Sequence, residues 1–261
     1  MKAILLVGFC AAVSLSGFAL ATEKPRIAPS PSPSPTSSNV FPQSWASRDV
    51  AWKGLRIHLE QKFDEDAGVE AKVEIRKGTQ LLKSLALKGL QPVGGTAGLA
   101  LPEKQPLDDH FMISKEGDYD PRIILIDLSG RKVASLPAAE LYLSPNGRNL
   151  FAFQQSFESA LPEYAVYDLA QNLLIMEAKD TDKVEPYFVS GIGYRLYAKG
   201  GRYLAVARPE VANDPGRARK LAETSMTEIN LEMKSLRVLP LEPKVIAEAI
   251  PMRQLRLDAG K

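Results

Sequence analysis

A strand–turn–strand pattern recurs along most of this chain and constrains its fold more than any other feature. Four segments share the order apolar strand, polar turn, apolar strand: residues 73–85, 124–136, 165–177 and 229–239. In the last three, Asp or Asn followed by Leu stands at the turn, at Asp127, Asp168 and Asn230. An Asx side chain there bonds the backbone and starts a turn, while the Leu covers the hairpin. Short alternating strands with such turns predict an all-β antiparallel fold.

A second kind of hairpin occurs at residues 141–153 and 194–207. Asn146-Gly147 and Gly200-Gly201 supply the positive φ values that tight hairpins require. Each of these hairpins precedes one of the first kind. Two successive hairpins make a four-stranded antiparallel unit of the size of a propeller blade.

The turn Ser144-Pro145-Asn146-Gly147-Arg148 resembles the Ser-Pro-Asp-Gly-Lys/Arg turn of TolB-type and WD40-like β-propeller repeats, with Asn in place of Asp. The resemblance is best over residues 141–177 and 194–240, and the uneven spacing of the hairpins departs from the family. It implies a small or incomplete β-propeller-like domain of four or five blades, whose loop-bearing face engages a protein or small ligand.

The N-terminal region has the order of charges and apolar residues that an export signal needs. Lys2 is followed by an apolar run to residue 13 and by the small-residue pattern Ala19-Leu20-Ala21. We expect a signal peptide over residues 1–21, with a retained anchor as the alternative. Pro/Ser-rich residues 22–44 predict a disordered spacer, because proline fixes φ and removes a backbone donor.

The remainder is expected to divide into a β-propeller-like domain over residues 45–241 and a C-terminal tail over 242–261. An exposed insertion at residues 208–225 is expected to contain a short helix, and the tail a second one at 244–250. Residues 253–257 predict either a final edge strand or a tail packed on the first unit.

Cysteine content and charge limit the classes of partner. Cys10 is the only cysteine and lies within the signal, so an exported mature chain would have no disulfide. The net charge of +2 is spread over interspersed signs, which argues against nucleic acid and against an anionic membrane surface. We expect a periplasmic or extracellular protein without a transmembrane span, whose partner is another envelope or secreted protein.

Residues suited to chemistry are few. The two histidines are His58 and His110, and none of the common nucleophile, zinc or phosphate-loop motifs occurs. The strongest polar cluster joins His110 to four carboxylates, Asp108, Asp109, Asp118 and Asp120. Such oxygens suit calcium and His110 suits a general base, but the same residues are also ordinary turn formers. We expect no cofactor, with calcium as the one metal candidate.

Binding residues are expected among aromatics in the connections between strands, namely Phe157, Tyr187 and Phe188. Together these features favour a non-catalytic binding or scaffolding role. A propeller-type hydrolase or lactonase, and a secreted inhibitor of a foreign wall-lytic enzyme, remain as alternatives.

Overall fold

Four antiparallel sheets follow one another along the chain in this computed structural model. The structure describes residues 46–64, 68–90, 99–100, 102, 104–115, 122–137, 140–154, 163–179, 181–184 and 186–255. The expected signal peptide and spacer, residues 1–21 and 22–44, lie outside the described residues. No helix in the described part of the chain is long and apolar enough to cross a membrane.

The first two sheets are four-stranded meanders, in which each strand pairs with the next along the chain. Sheet 1 consists of β1 (Ala46–Trp52), β2 (Leu55–Asp64), β3 (Gly68–Lys77) and β4 (Gln80–Leu90). Sheet 2 consists of β5 (Leu99–Ala100), β6 (His110–Lys115), β7 (Arg122–Asp127) and β8 (Val133–Pro137).

The other two sheets are meanders that each gain a fifth strand from the C-terminal tail. Sheet 3 consists of β9 (Glu140–Leu143), β10 (Asn149–Gln154), β11 (Glu163–Asp168) and β12 (Leu173–Ala178), with β18 (Arg253–Leu255) paired to β9. Sheet 4 consists of β13 (Gly193–Lys199), β14 (Arg202–Arg208), β15 (Ser225–Asn230) and β16 (Ser235–Pro240), with β17 (Ile250–Pro251) paired to β13.

Short helices occupy the connections within and after the last two sheets. They are α1 (Thr181–Val184), a 3-10 turn (Pro209–Val211), α2 (Pro215–Thr224) and α3 (Pro243–Ala247). Asp214 caps α2 by accepting a hydrogen bond from the Arg217 backbone N–H at 2.9 Å.

The sheets pack face to face in chain order through three apolar cores. Sheets 1 and 2 bury one core, sheets 2 and 3 a second, and sheets 3 and 4 a third. Alternate side chains of one strand therefore enter different cores: Phe111 and Ile113 point toward sheet 1, and Met112 toward sheet 3. Because both faces of sheets 2 and 3 are buried, their strands read as continuous apolar runs.

The stack is not closed into a ring. The outward face of sheet 1 carries alternating charged residues such as Lys72, Glu74 and Arg76, and Glu74 forms ion pairs of 2.7 Å with both cations. These neighbours lower the pKa of Glu74 to about 2, first through hydrogen bonds from Lys72 and Arg76. Within the described residues no apolar core joins this face to sheet 4. The fold is an incomplete propeller-like all-β domain.

Both kinds of predicted hairpin are confirmed, and every second-kind hairpin precedes one of the first kind within one sheet. The helix predicted within the insertion and the helix predicted in the tail are also present. The tail strand is an edge strand, as one of the two interpretations had it, but it pairs with sheet 3 rather than packing on the first unit. The two paired strands are more than a hundred residues apart in the sequence, so no local pattern predicts that the tail strand pairs with β9.

We predict that Tyr142 makes the protein sensitive to alkaline pH. Burial, followed by the nearby Glu140 carboxylate, raises the pKa of Tyr142 to about 12, and its hydroxyl donates to the Tyr194 carbonyl. A folded-state pKa above the unfolded value near 10 gives stability that is complete below pH 10 and lost as pH rises toward 12.

Urea unfolding followed by circular dichroism between pH 8 and pH 12 measures this dependence. Tyr142→Phe should lower the unfolding free energy by about 1 kcal/mol at neutral pH, because one hydrogen bond is lost. The unfolding free energy of the Tyr142→Phe protein should also fall less steeply above pH 10 than that of the unmodified protein. Equal slopes in the two proteins would contradict the assignment.

Candidate functional site

One end of the four sheets carries the turns within their hairpins. In a four-stranded meander, the turns between strands one and two and between strands three and four leave the sheet at the same end. We call this end the turn rim: it comprises those turns and the two strand residues on either side of each. The third-to-fourth turns lie at residues 78–79, 128–132, 169–172 and 231–234.

Contacts between neighbouring sheets join these turns into one surface. The Lys53 ammonium donates to the Asp108 carbonyl, which links the first turn of sheet 1 to sheet 2. A Cβ atom added at Gly130 would lie 2.8 Å from Ile75, so the turn of sheet 2 presses directly on sheet 1. Asn149 donates from Nδ2 to the Tyr203 hydroxyl at 2.9 Å, which links sheets 3 and 4.

A buried polar network centred on His110 joins sheets 2 and 3 at the turn rim. His110 is only 2% exposed, and its Nε2 lies 2.7 Å from Asn172 Oδ1. Asn172 donates from Nδ2 to Asp127 Oδ2 at 3.3 Å, which fixes the amide with its oxygen toward the imidazole. His110 Nδ1 lies 3.0 Å from Asp109 Oδ1, and Asn172 adopts φ of 52° to reach both partners. One asparagine in the left-handed region thus ties two sheets together.

The same geometry defines what His110 can do chemically. Both ring nitrogens lie within hydrogen-bond distance of an oxygen atom, one of Asp109 and one of Asn172. A ring held in this way and almost closed to solvent does not present a free nitrogen to a substrate. Its role in this network is to position the turns.

Asx side chains hold the turns of the rim, as the sequence predicts. Asp168 Oδ1 accepts from the Gln171 backbone N–H, and Asn230 Oδ1 accepts from the Met233 backbone N–H, both at 2.9 Å. Asp127 Oδ1 accepts from the Ser129 hydroxyl at 2.6 Å. These bonds define the backbone of three consecutive third-to-fourth turns.

An ion pair reinforces the third-to-fourth turn of sheet 3. Arg148 lies 2.8 Å from Asp168 through Nη2 and donates from Nε at 2.9 Å. Burial raises the pKa of Asp168, but hydrogen bonds from Arg148 and from the Gln171 backbone outweigh it, so the pKa lies below its usual value. Asp168 therefore stays ionised at neutral pH and keeps the Arg148 side chain over the turn.

Each sheet presents an exposed large apolar side chain at the turn rim. The exposed fractions are 46% for Leu81, 48% for Leu128, 52% for Leu173 and 67% for Met233, and sheet 3 adds Leu174 at 38%. The prediction that Leu covers the hairpin is therefore wrong at Leu128, although Leu169 and Leu231 do pack inward. Leu128 faces solvent because Gly130 presses the other side of its turn onto sheet 1.

Exposed cations accompany these apolar residues. Lys77, Arg131, Lys132 and Lys234 form no ion pair with any described residue. Arg148 adds a cation at sheet 3, where the third-to-fourth turn has none of its own. The turn rim thus repeats an apolar residue beside a cation, once for each sheet.

The predicted calcium cluster is only partly within the described residues. Asp108 and Asp109 are exposed at the turn rim, and Asp109 contacts His110 rather than gathering other carboxylates. Asp118 and Asp120 lie outside the described residues, so their part of the cluster stays a prediction. Among the residues that the structure describes, no group of three or more His, Cys, Asp or Glu side chains could hold a metal ion.

The predicted aromatic anchors have different environments. Phe157 lies outside the described residues. Phe188 was expected to be exposed, and this is wrong: it is 5% exposed and packs against Phe153, with ring centroids 4.9 Å apart. The connection after α1 folds back over the core between sheets 3 and 4, which buries the ring. Tyr187 is half-buried against the same core, and its carbonyl accepts from the Thr227 hydroxyl.

Sequence reasoning missed Asn172 and the exposed leucines. The turn at residues 169–172 contains no glycine, and asparagine is its one residue type that adopts a positive φ readily. The sequence therefore contained a local indication of the backbone conformation at Asn172. Exposure of Leu128 and Leu173 has no local signal, because apolar residues beside a turn pack inward elsewhere in this chain, as Leu169 does.

A cavity of about 470 Å³ adjoins the turn rim on the outward side of sheet 4. Leu204, Met226 and Leu239 line it from the sheet, and Val245 lines it from α3. Arg202 and Glu228, which form an ion pair of 3.0 Å, lie at its border. The segment containing α3 therefore covers only part of the last sheet.

No family model and no curated protein matches this sequence. Solved structures with some likeness include a segment of HIRA (9% identity, TM-score 0.33), covering 75% of this chain and 53% of that one. Another is the β-propeller domain of the Trilobed protease from Pyrococcus furiosus (11% identity, TM-score 0.28), covering 62% and 48%. A third is TolB from Acinetobacter baumannii (13% identity, TM-score 0.26), covering 70% and 40%.

The chain spans about half of the length of these solved proteins. TM-scores this low carry no argument about function, so the description of the fold rests on the four sheets themselves.

We predict that Asn172→Gly lowers the free energy of unfolding by about 1–3 kcal/mol. Glycine tolerates the positive φ, so the loss comes from removing hydrogen bonds to buried His110 and to Asp127. Lys234→Gly is the matched control, since Lys234 has φ of 48° at the equivalent turn of sheet 4 and its side chain makes no bond to a described residue.

Urea denaturation of the two variants tests this role of the network. The Lys234→Gly protein should unfold within about 0.5 kcal/mol of the unmodified one, because relief of strain and added chain entropy offset each other. If Asn172→Gly is no less stable than Lys234→Gly, the amide does not tie the two sheets together.

Proposed function

We propose that this protein is an exported, non-catalytic binding or scaffolding protein that engages another envelope or secreted protein through the turn rim. The observation that carries the proposal is that every sheet presents an exposed apolar side chain along a surface of hydrogen-bonded turns. Exposed apolar residues scattered singly are ordinary, but an ordered row at one end of a fold is typical of an interaction surface.

The rigidity of the turns supports this role. A binding surface gains affinity when its backbone is already ordered, because less conformational entropy is lost on association. The Asx bonds at Asp127, Asp168 and Asn230 and the His110–Asn172 contact provide that order. Leucine and methionine side chains supply apolar area that a partner can cover.

Export is proposed on the N-terminal sequence. The charged start, the apolar run and the pattern Ala19-Leu20-Ala21 support a cleaved signal and a periplasmic or extracellular location. The absence of cysteine beyond residue 10 is compatible with such a location, because folding then needs no disulfide. We propose no cofactor for this function.

We predict that Leu128→Asp combined with Leu173→Asp abolishes partner capture. Two charges placed on the exposed apolar row prevent its desolvation against a partner, and both positions are half-exposed, so folding is retained. The tagged chain from residue 22 onward is used as bait for envelope and secreted fractions of the source cells, and the captured proteins are quantified by mass spectrometry.

Val211→Asp is the matched control, because Val211 is 44% exposed but lies in the connection at the other end of sheet 4. It should capture the same partner as the unmodified protein. Circular dichroism and thermal denaturation establish that all three proteins fold alike. Capture that the double variant retains, or that Val211→Asp loses, would contradict the turn rim as the binding surface.

A further inference from the structure

The pairing of apolar residues with cations at the turn rim indicates what kind of partner it fits. Leu81 follows Lys77 in sheet 1, Leu128 precedes Arg131 and Lys132 in sheet 2, and Met233 precedes Lys234 in sheet 4. In sheet 3, Leu173 follows the third-to-fourth turn, and the cation comes from the first-to-second turn, where Arg148 pairs with Asp168. The acidic residues exposed on this surface are fewer: Asp108, Asp109 and Glu232.

We propose that the turn rim binds an acidic, extended peptide segment of its partner, with an apolar side chain at about every third position. The proposal rests on the proposed function and specifies the chemistry of the partner. Carboxylates of the segment would pair with the unpaired cations, and its apolar side chains would cover the exposed row.

The distance between neighbouring sheets sets the number of residues between successive apolar side chains of the bound segment. Sheets packed face to face lie about 10 Å apart. A segment in the extended polyproline-II conformation advances about 3.1 Å for each residue and places every third side chain on the same face, so about three residues span one sheet-to-sheet step and about ten residues span all four sheets. Apolar residues at positions 1, 4, 7 and 10 of such a segment would meet one exposed side chain on each sheet.

A peptide is favoured over an anionic membrane by the charges that lie among the cations. Asp108, Asp109 and Glu232 are exposed on the same surface and would be repelled by a uniformly anionic headgroup layer. A peptide with discrete carboxylates can place them beside Lys77, Arg131, Lys132 and Lys234 and leave the acidic positions uncontacted. Vesicle binding is accordingly the competing outcome in the test.

The test measures fluorescence anisotropy of a labelled ten-residue peptide with Leu at positions 1, 4, 7 and 10 and Asp elsewhere. The chain from residue 22 onward should bind this peptide. Two control peptides, one with Lys in place of Asp and one with Ser in place of Leu, should each bind at least tenfold more weakly. Affinity should fall as salt rises, since ion pairs at a surface are screened.

The variant Arg131→Glu with Lys132→Glu should weaken binding of the acidic peptide at least tenfold. Its matched control is Arg219→Glu with Lys220→Glu, an exposed adjacent pair on α2 with the same change of net charge. That control should bind the peptide as the unmodified protein does. Equal loss in both double variants would show a non-specific effect of net charge and would overturn the proposal.

Two further results would overturn the proposal while leaving the proposed function standing. One is preferential binding of the Lys peptide together with Leu128- and Leu173-dependent capture of a partner. The other is stronger binding to phosphatidylglycerol-containing vesicles than to the acidic peptide. If partner capture does not depend on Leu128 and Leu173, that result would instead contradict the proposed function itself.

Discussion

Face-to-face burial between consecutive sheets is the constraint on which the rest of this structure depends. Each inner sheet contributes side chains to two cores, so a strand such as β7 must be apolar at nearly every position. The described residues include no cysteine and no group of three or more side chains suited to a metal ion. The stack ends at sheet 1 because the outward face of that sheet is charged, with Glu74 held between Lys72 and Arg76.

Stacking in chain order also creates the candidate site. Because every sheet is a meander, its first-to-second and third-to-fourth turns emerge at the same end, and contacts between neighbouring sheets bring these turns side by side. Cross-sheet contacts, above all from Asn172 to His110 and Asp127, then convert separate turns into one surface. We propose that the rim carries the function, whereas the buried His110 keeps its turns in place.

Much of the fold could be predicted from the sequence, because hairpins are local. The Asx residues and the Gly200-Gly201 pair mark their turns directly, and both glycines adopt positive φ values. The candidate site could be predicted only in part. His110 was singled out for chemistry, but its partner Asn172 lies 62 residues away and no local pattern joins them. Phe188 was expected at the surface because its connection was treated as exposed, whereas the chain folds back there over a core.

We propose that the turn rim acts as one pre-ordered binding surface. Hydrogen–deuterium exchange followed by mass spectrometry, with and without the captured partner, tests it directly. We expect added protection in segments containing residues 77–81, 128–132, 169–173 and 231–234 together, with residues 209–224 at the other end unchanged. Protection confined to residues 209–224, or to the turn of a single sheet, would contradict it.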